Sequence, residues 1–334
     1  MKTAHHLATS APPRSKRVIF VSWTPHHRAN ELAEALEGRV YVPHPHRKAW
    51  PAPVRYAIQG TRTLAYLART RPTDVLFTNP PFVAGAVLLL AATPLRFSVW
   101  ADSHSGAFND PRWMRFSRLN DWIMRRCAGV IVTNEPLARR VRASGSRPLI
   151  VNYPSTHPKQ RSATGSYLVA TLGFQFDEPV DALLKAAGLS PEVRLIMTGA
   201  APADLAKRAP PNCVVTGWLS RADYERTLAE ARGVICLTTR EDTMQTGAYE
   251  ALQYGLPMVL SGTGALREFF SDGVIFVDDH ESETLARAVT QLWRDHEQLS
   301  IDALRARSDL LARCEDEISA LRAALGISAR ATPD

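Results

Sequence analysis

Short β-branched runs alternate with longer helical stretches along this chain, and the alternation runs twice, with one interruption between the rounds. Such alternation restricts the fold severely. Parallel strands cannot be joined by tight turns, so each needs a helical crossover, and the helices then cover both faces of the sheet. In the first round VIFVSW (Val18 to Trp23), RVYVP, DVLFTNP, FSVWADSH and GVIVTNE read as strands. Between them, helices are predicted over Ala29 to Leu36, Val54 to Ala68, Phe82 to Ala92 and Trp113 to Arg126, with a last one from Pro136. Leu32, Ala35 and Leu36 share one face of the first helix, and Pro136 suits a first helical position.

From Arg147 to Ser166 the chain is rich in Pro, Ser and Thr and the alternation lapses. It restarts with YLVATLGF, then VRLIMTGA, CVVTGW, GVICLTT, PMVLSG and VIFVDD as strands. Helices are expected over Pro179 to Ala187, Arg221 to Ala231, Gly247 to Tyr254 and Ala265 to Phe270, and a long one over Glu281 to Leu325. The expectation is an α/β protein of two doubly wound, Rossmann-like domains, residues 17–150 and 167–310, joined by a linker at 151–166. Residues 1–16 are read as a disordered lead-in and 311–334 as a C-terminal helix and tail. In such sheets ligands sit beyond the carboxyl ends of the strands, which places a site in the cleft between the domains.

A chain of 334 residues, 45% apolar and 22% charged, can bury two cores and is not a disordered or fibrous protein. Four scattered cysteines (Cys127, Cys213, Cys236, Cys314) make neither a disulfide scaffold nor a CxxC zinc site, and suit a reducing compartment. The longest apolar run, Phe82 to Ala92, is too short to span a bilayer, and the N-terminal stretch lacks the apolar core of a secretory signal. Charge is divided unevenly. Residues 1–163 hold 24 basic and 8 acidic residues (+16), the remainder 16 and 25 (−9), for a net +7. A basic first half points to an anionic partner: a membrane surface, a lipid phosphate or nucleic acid. Its arginines are spread over several segments without the aromatic-interleaved string of RNA-binding sheets, which disfavours nucleic acid.

The most informative segment is LTTREDTMQTGAYEALQYGLPMVLSGTGALREFF. A helix beginning near Thr246, whose hydroxyl is a candidate cap, and ending before Gly255 presents free amides around Thr246 to Ala248 to a phosphate or sugar. Asp242 lies in the turn before it and Glu250 one turn inside, so both carboxylates can face one cleft and accept sugar hydroxyls. A glutamate in a first turn is also favoured by the helix dipole alone.

This string resembles the donor-binding motif of group-1 GT-B glycosyltransferases (retaining family four): two acids with seven residues between them, Glu-Ala, then Gly-x-Pro and a strand. Here it is Asp242, seven residues, Glu250, Ala251, Gly255-Leu256-Pro257 and MVLS. Gly264 to Glu268, Asp272-Gly273, IMTGAAP and Val214 to Leu237 follow the class in order, so the resemblance covers the second half. In the first half VWADSHSGAF resembles the family's strand-end Asp-x-His. The resemblance implies that His104 and Asp242 flank the reacting sugar and that Glu250 holds the ribose. It also implies that Thr246, Gly247, Arg240 and Gly199 line the donor diphosphate and sugar, and that Trp218 and Leu219 flank the base. His26, His27, Arg28 and Asp102 fall on the acceptor side. Three features depart from the pattern. Asp242 replaces the usual Glu, with Glu241 adjacent. The basic pair after the first strand of the second half is missing from GFQFDEPVD, leaving Arg240 or Arg267 to compensate. SWTPHHRAN replaces a Gly-rich loop.

The implied activity is metal-independent, retaining transfer of a hexose-type sugar from a nucleotide diphosphate to a hydroxyl of a glycan or glycolipid, with no cofactor. No DxD string stands at a suitable strand end, and VDDH (Val277 to His280) reads as a loop. A polyprenyl-linked acceptor in polysaccharide or cell-envelope synthesis fits the basic half, at the cytoplasmic face of the plasma membrane. The alternatives are a nucleotide-sugar epimerase or a non-catalytic binding module on the same fold, and, less well supported, a nucleic-acid-binding protein.

Overall fold

The computed structural model describes residues 17–44, 50–155, 157–162 and 165–327. The predicted disordered segment 1–16 and the last residues of the tail lie outside them. Two six-stranded sheets form, every neighbouring pair of strands parallel.

In chain order the first domain runs β1 (Val18–Val21), α1 (His27–Ala35), β2 (Arg39–Tyr41), α2 (Ala52–Thr70), β3 (Asp74–Asn79), α3 (Phe82–Leu95), β4 (Ser98–Ser103), α4 (Gly106–Asn109), α5 (Pro111–Met114), α6 (Ser117–Met124), β5 (Gly129–Val132), α7 (Glu135–Ala143) and β6 (Pro148–Ile150). Its sheet order is β2-β1-β3-β4-β5-β6. Strand β6 differs from expectation: it forms inside the Pro/Ser/Thr-rich stretch, because Val130, Ile131 and Val132 leave an edge that Pro148, Leu149 and Ile150 pair in parallel. The helix expected over Trp113 to Arg126 is three pieces starting earlier, since Asp110 caps a new helix at Pro111, accepting from the Arg112 amide. At α7, Asn134 is the cap, accepting from the Leu137 amide.

The second domain runs β7 (Leu168–Thr171), α8 (Val180–Leu189), β8 (Leu195–Thr198), α9 (Leu205–Arg208), β9 (Cys213–Gly217), α10 (Arg221–Ala229), β10 (Gly233–Cys236), α11 (Thr246–Tyr254), β11 (Met258–Ser261), α12 (Gly264–Phe269), β12 (Val274–Val277) and α13 (Ser282–Leu325). Its order is β12-β11-β10-β7-β8-β9, so β7 and β10 lie side by side at the centre.

Each sheet buries apolar side chains on both faces, as parallel sheets must. In the first domain Phe77, Leu88, Ile123 and Val141 fill one face, under α2, α3, α6 and α7. On the other face Phe20, Leu32, Leu76 and Trp100 pack with Ile318, Leu321 and Leu325 from the far end of α13. That 44-residue helix runs unbroken through residue 310 and returns from the second domain to the first. There Arg322 donates to Ala35 O at 2.8 Å and to Glu37 Oε1 at 2.9 Å.

Candidate active site in the interdomain cleft

The strand ends of both sheets face one cleft, and polar side chains fasten its base. Asn152, just past β6, has all its polar groups engaged by three helices. Its amide and Nδ2 donate to the Glu317 carboxylate, each at 2.6 Å. Its Oδ1 accepts from Tyr249 Oη at 2.9 Å and its carbonyl from Arg28 Nη1, also at 2.9 Å. Arg28 is buried; its second Nη donates to Val151 O at 2.7 Å and its Nε to Asp102 Oδ1 at 3.2 Å. Arg28, placed on the acceptor side in the sequence reading, therefore has its guanidinium committed behind the cleft wall.

Asp102 ends β4 and is 1% exposed. Burial pushes its carboxyl upward, but Arg28 and His104 outweigh this and hold it well below the carboxylate range. His104 Nε2 stands 3.1 Å from Asp102 Oδ2, yet neither atom has an aligned hydrogen-bond partner. The His26 ring packs against His104, centroids 4.6 Å apart. His26 keeps an edge to solvent, but the protein around it and His104 beside it lower its pKa to about 4, so it is a neutral imidazole at pH 7. His27 behaves oppositely: its Nε2 lies 3.1 Å from Glu31 Oε1, a bond that raises its pKa. Glu31 also accepts from Tyr153 Oη at 2.9 Å, and Tyr153 stacks on Tyr249. Four of the five predicted first-domain site residues thus form one cluster: His26, Arg28, Asp102 and His104.

The opposite wall is built on β10 and α11. Gln245, not Thr246, is the N-cap of α11, and no side chain caps the end, so the first amides, at Thr246 and Gly247, point outward. Only glycine fits at 247. A Cβ there would lie 2.0 Å from Thr171 Oγ1 at the end of β7. Gly199 is equally constrained, with φ +126° and a built Cβ 1.9 Å from Leu172 O. Gly255 ends α11 in the left-handed conformation, as expected.

Glu250 is 4% exposed, and both its oxygens are engaged, by Arg221 Nη1 and Tyr224 Oη, each at 2.7 Å. The Glu250 pair outweighs burial and raises the Arg221 pKa. Sequence reasoning missed both partners; they lie 29 and 26 residues away on α10, and no local spacing signals them. Asp242 reaches across the cleft. Its Oδ2 lies 3.5 Å from Asn109 Nδ2 and its carbonyl accepts from Asn134 Nδ2 at 3.0 Å. Beside it Thr243 Oγ1 meets Ser105 Oγ at 3.2 Å, one residue from His104. Glu241, weighed as a substitute for Asp242, instead accepts the Gly264 amide at the start of α12.

After β7, in the stretch read as lacking a cation pair, stands a carboxylate: Glu178 accepts the amides of Gly173 at 2.9 Å and Gln175 at 3.0 Å. Burial raises its pKa. Of the arginines proposed to compensate, Arg240 lies over the Phe176 ring at 4.3 Å, with Nε 3.7 Å from Asp177 Oδ1. Arg267 is held by Asp278 at 2.5 Å and by Gly262 O at 3.1 Å. Trp218, 82% exposed beyond β9, stands apart from these groups, with Leu219 half-buried beside it. In the VDDH loop Asp279 accepts the Glu281 amide at 3.0 Å before α13.

Two parallel-sheet domains facing a cleft, tied by a returning C-terminal helix and with an uncapped helix end at the central strands, make a GT-B fold. Residues 168–295 match the sequence model of the family described as Glycosyl transferases group 1. Among solved structures, Anabaena HepE in complex with UDP and glucose aligns with 92% of this chain and 99% of its own, at 14% identity and a TM-score of 0.71. The lipopolysaccharide outer core galactosyltransferase WaaB aligns over 92% and 99%, at 12% identity and a TM-score of 0.60. A putative UDP-N-acetylglucosamine 2-epimerase from Listeria monocytogenes aligns over 94% and 98%, at 12% identity and a TM-score of 0.61. No curated protein matches the sequence.

Proposed function

We propose that the protein is a glycosyltransferase that moves a sugar from a nucleotide diphosphate to a hydroxyl of a glycan or lipid-linked acceptor, with retention of configuration. The observation that carries this reading is the end of α11. Two outward amides stand at the carboxyl end of the central strands, with Asp242 before them and Glu250 inside, opposite the loop that bears His104. Such an end suits a diphosphate. Glu250 then exchanges its bonds to Arg221 and Tyr224 for ribose hydroxyls. Arg240 and the α11 amides meet the charge that grows on the leaving diphosphate, a preorganised electrostatic role. The bond from the anomeric carbon to the phosphate oxygen breaks, the acceptor oxygen bonds to that carbon, and the acceptor proton passes to the departing phosphate. Asp242 and His104 flank the cationic sugar. HepE, crystallised with UDP and glucose, makes a uridine donor the first to test.

The test is a thermal-shift panel of UDP, GDP, dTDP and ADP on the protein and on Glu250→Ala. A nucleotide at 100 times its Kd adds about 2.7 kcal/mol, expected for one nucleotide and lost in the variant. No shift with any nucleotide overturns the reading, and isomerisation of the sugar nucleotide without an acceptor replaces transfer by the epimerase.

A further inference from the structure

We infer that α5 and α6 form a docking surface for a bilayer rich in anionic headgroups. Between Pro111 and Arg126 stand five arginines and a single acid, Asp121. Large apolar side chains on the same segment face solvent: Met114 is 50% exposed, Leu119 44%, Trp122 42% and Phe116 39%. Helix α6 turns Asn120, Ile123 and Met124 into the core. Its outer face carries Leu119 and Trp122, three residues apart, with Arg118 beside them, Arg115 just before the helix, and Arg125 and Arg126 at its end. The arginines are placed against the rings. The Arg126 guanidinium lies 3.8 Å above Trp122, and that of Arg115 lies 4.8 Å from the centre of Phe116. Phe82 at the start of α3 anchors the segment, packing against Trp113 and Phe116 at 5.6 and 5.5 Å.

Apolar area this exposed is disfavoured in water. Indole, phenyl and aliphatic groups at the depth of a ring of guanidinium groups match a headgroup boundary, where aromatic side chains and arginines are stabilised together. Nucleic acid fits less well, because Leu119 and Met114 offer nothing to a base and the Trp122 face is already covered by Arg126. A second copy would set like charge against like. Among the described residues no helix is long and apolar enough to cross a membrane, so the contact is one of surface docking. Position gives it a use. Pro111 follows by two residues Asn109, which faces Asp242 in the cleft, so a docked α5–α6 holds the cleft mouth at the lipid surface. This deepens the lipid-linked acceptor reading and rests on it only for that use.

The test is co-sedimentation of the full chain with vesicles of phosphatidylcholine alone or with about 30% phosphatidylglycerol, since each arginine near an anionic surface is worth roughly fivefold in partition. Binding is expected only to the anionic vesicles and weakens with salt. Arg118→Gln with Arg126→Gln lowers it roughly 30-fold. Leu119→Ser with Trp122→Ser lowers it even in low salt, and both pairs keep the parent's melting temperature within a few degrees and its nucleotide shift. Retention of the parent in the supernatant, undiminished binding by either folded variant, or tighter binding to an RNA duplex than to anionic vesicles overturns the proposal. A failed nucleotide panel with intact vesicle binding removes the transferase reading and leaves the surface.

Discussion

Replacing Arg28 by alanine tests how the cleft is held. The guanidinium is buried with the Asp102 carboxylate, 8% and 1% exposed, and also carries the carbonyls of Val151 and Asn152. Removing one partner of a buried pair costs about 3–5 kcal/mol, since the remaining charge stays desolvated. At about 2 °C per kcal/mol for a chain of this size, the melting temperature should fall by roughly 6–10 °C. The pH dependence carries the sign. In the parent the Asp102 carboxyl is depressed, so its contribution is present above the unfolded carboxyl value near pH 4 and is lost as pH falls through the folded value. Without Arg28 the carboxyl loses the strongest of the interactions that hold it down and titrates higher than in the parent, so the variant's deficit is largest at neutral pH and shrinks in acid. Circular dichroism melts at pH 7.5 and 4.5 measure both effects. Asp102→Asn added to Arg28→Ala should recover part of the loss. A fall below about 2 °C, or no recovery in the double variant, refutes the assignment of Arg28 as the neutralising partner of Asp102.

Gly247→Ala places a methyl 2.0 Å from Thr171 Oγ1, an overpacking that costs about 1–3 kcal/mol. It should weaken nucleotide stabilisation, with partial rescue by Thr171→Ala; an unchanged melt contradicts the close approach of α11 to β7. His26 should titrate near 4 by NMR of the imidazole resonances, and an inflection at 6.5 or above contradicts its packing. Because its folded value is lowered, protonation of the unfolded chain withdraws stability as pH falls from 6.5 toward 4. The raised value of His27 gives the reverse, stability present below 6.5 and lost as pH rises through the folded value.

The strands themselves were largely legible along the chain because parallel, doubly covered strands are apolar on both faces: the VIFV of β1 and the GVIC of β10 are buried at every position. Strand β6 was not, since a three-residue edge strand opening on Pro148 has no pattern of its own and is fixed by the exposed edge of β5. The split of α4, α5 and α6 turned on Asp110 and Pro111, a cap and first-turn pair hidden inside an otherwise helical composition. At the site, the acid pair and the end of α11 could be read from one continuous string. The partners of those residues could not. Asn152 is satisfied by Arg28, Tyr249 and Glu317, 124, 97 and 165 residues away, contacts that only the assembled chain brings together.

Helix α13 has a consequence for the order in which the chain can become a protein. At 1.5 Å per residue its 44 residues span about 66 Å. The side chains that close one face of the first sheet, Ile318, Leu321 and Leu325, are thus made some 300 residues after Val18 and Phe20, against which they pack. During vectorial synthesis the first domain emerges with that face covered only in part, by α1, and waits for the second domain to be translated. A ribosome stalled after β12 holds a nascent chain whose first sheet is still partly open to chaperones.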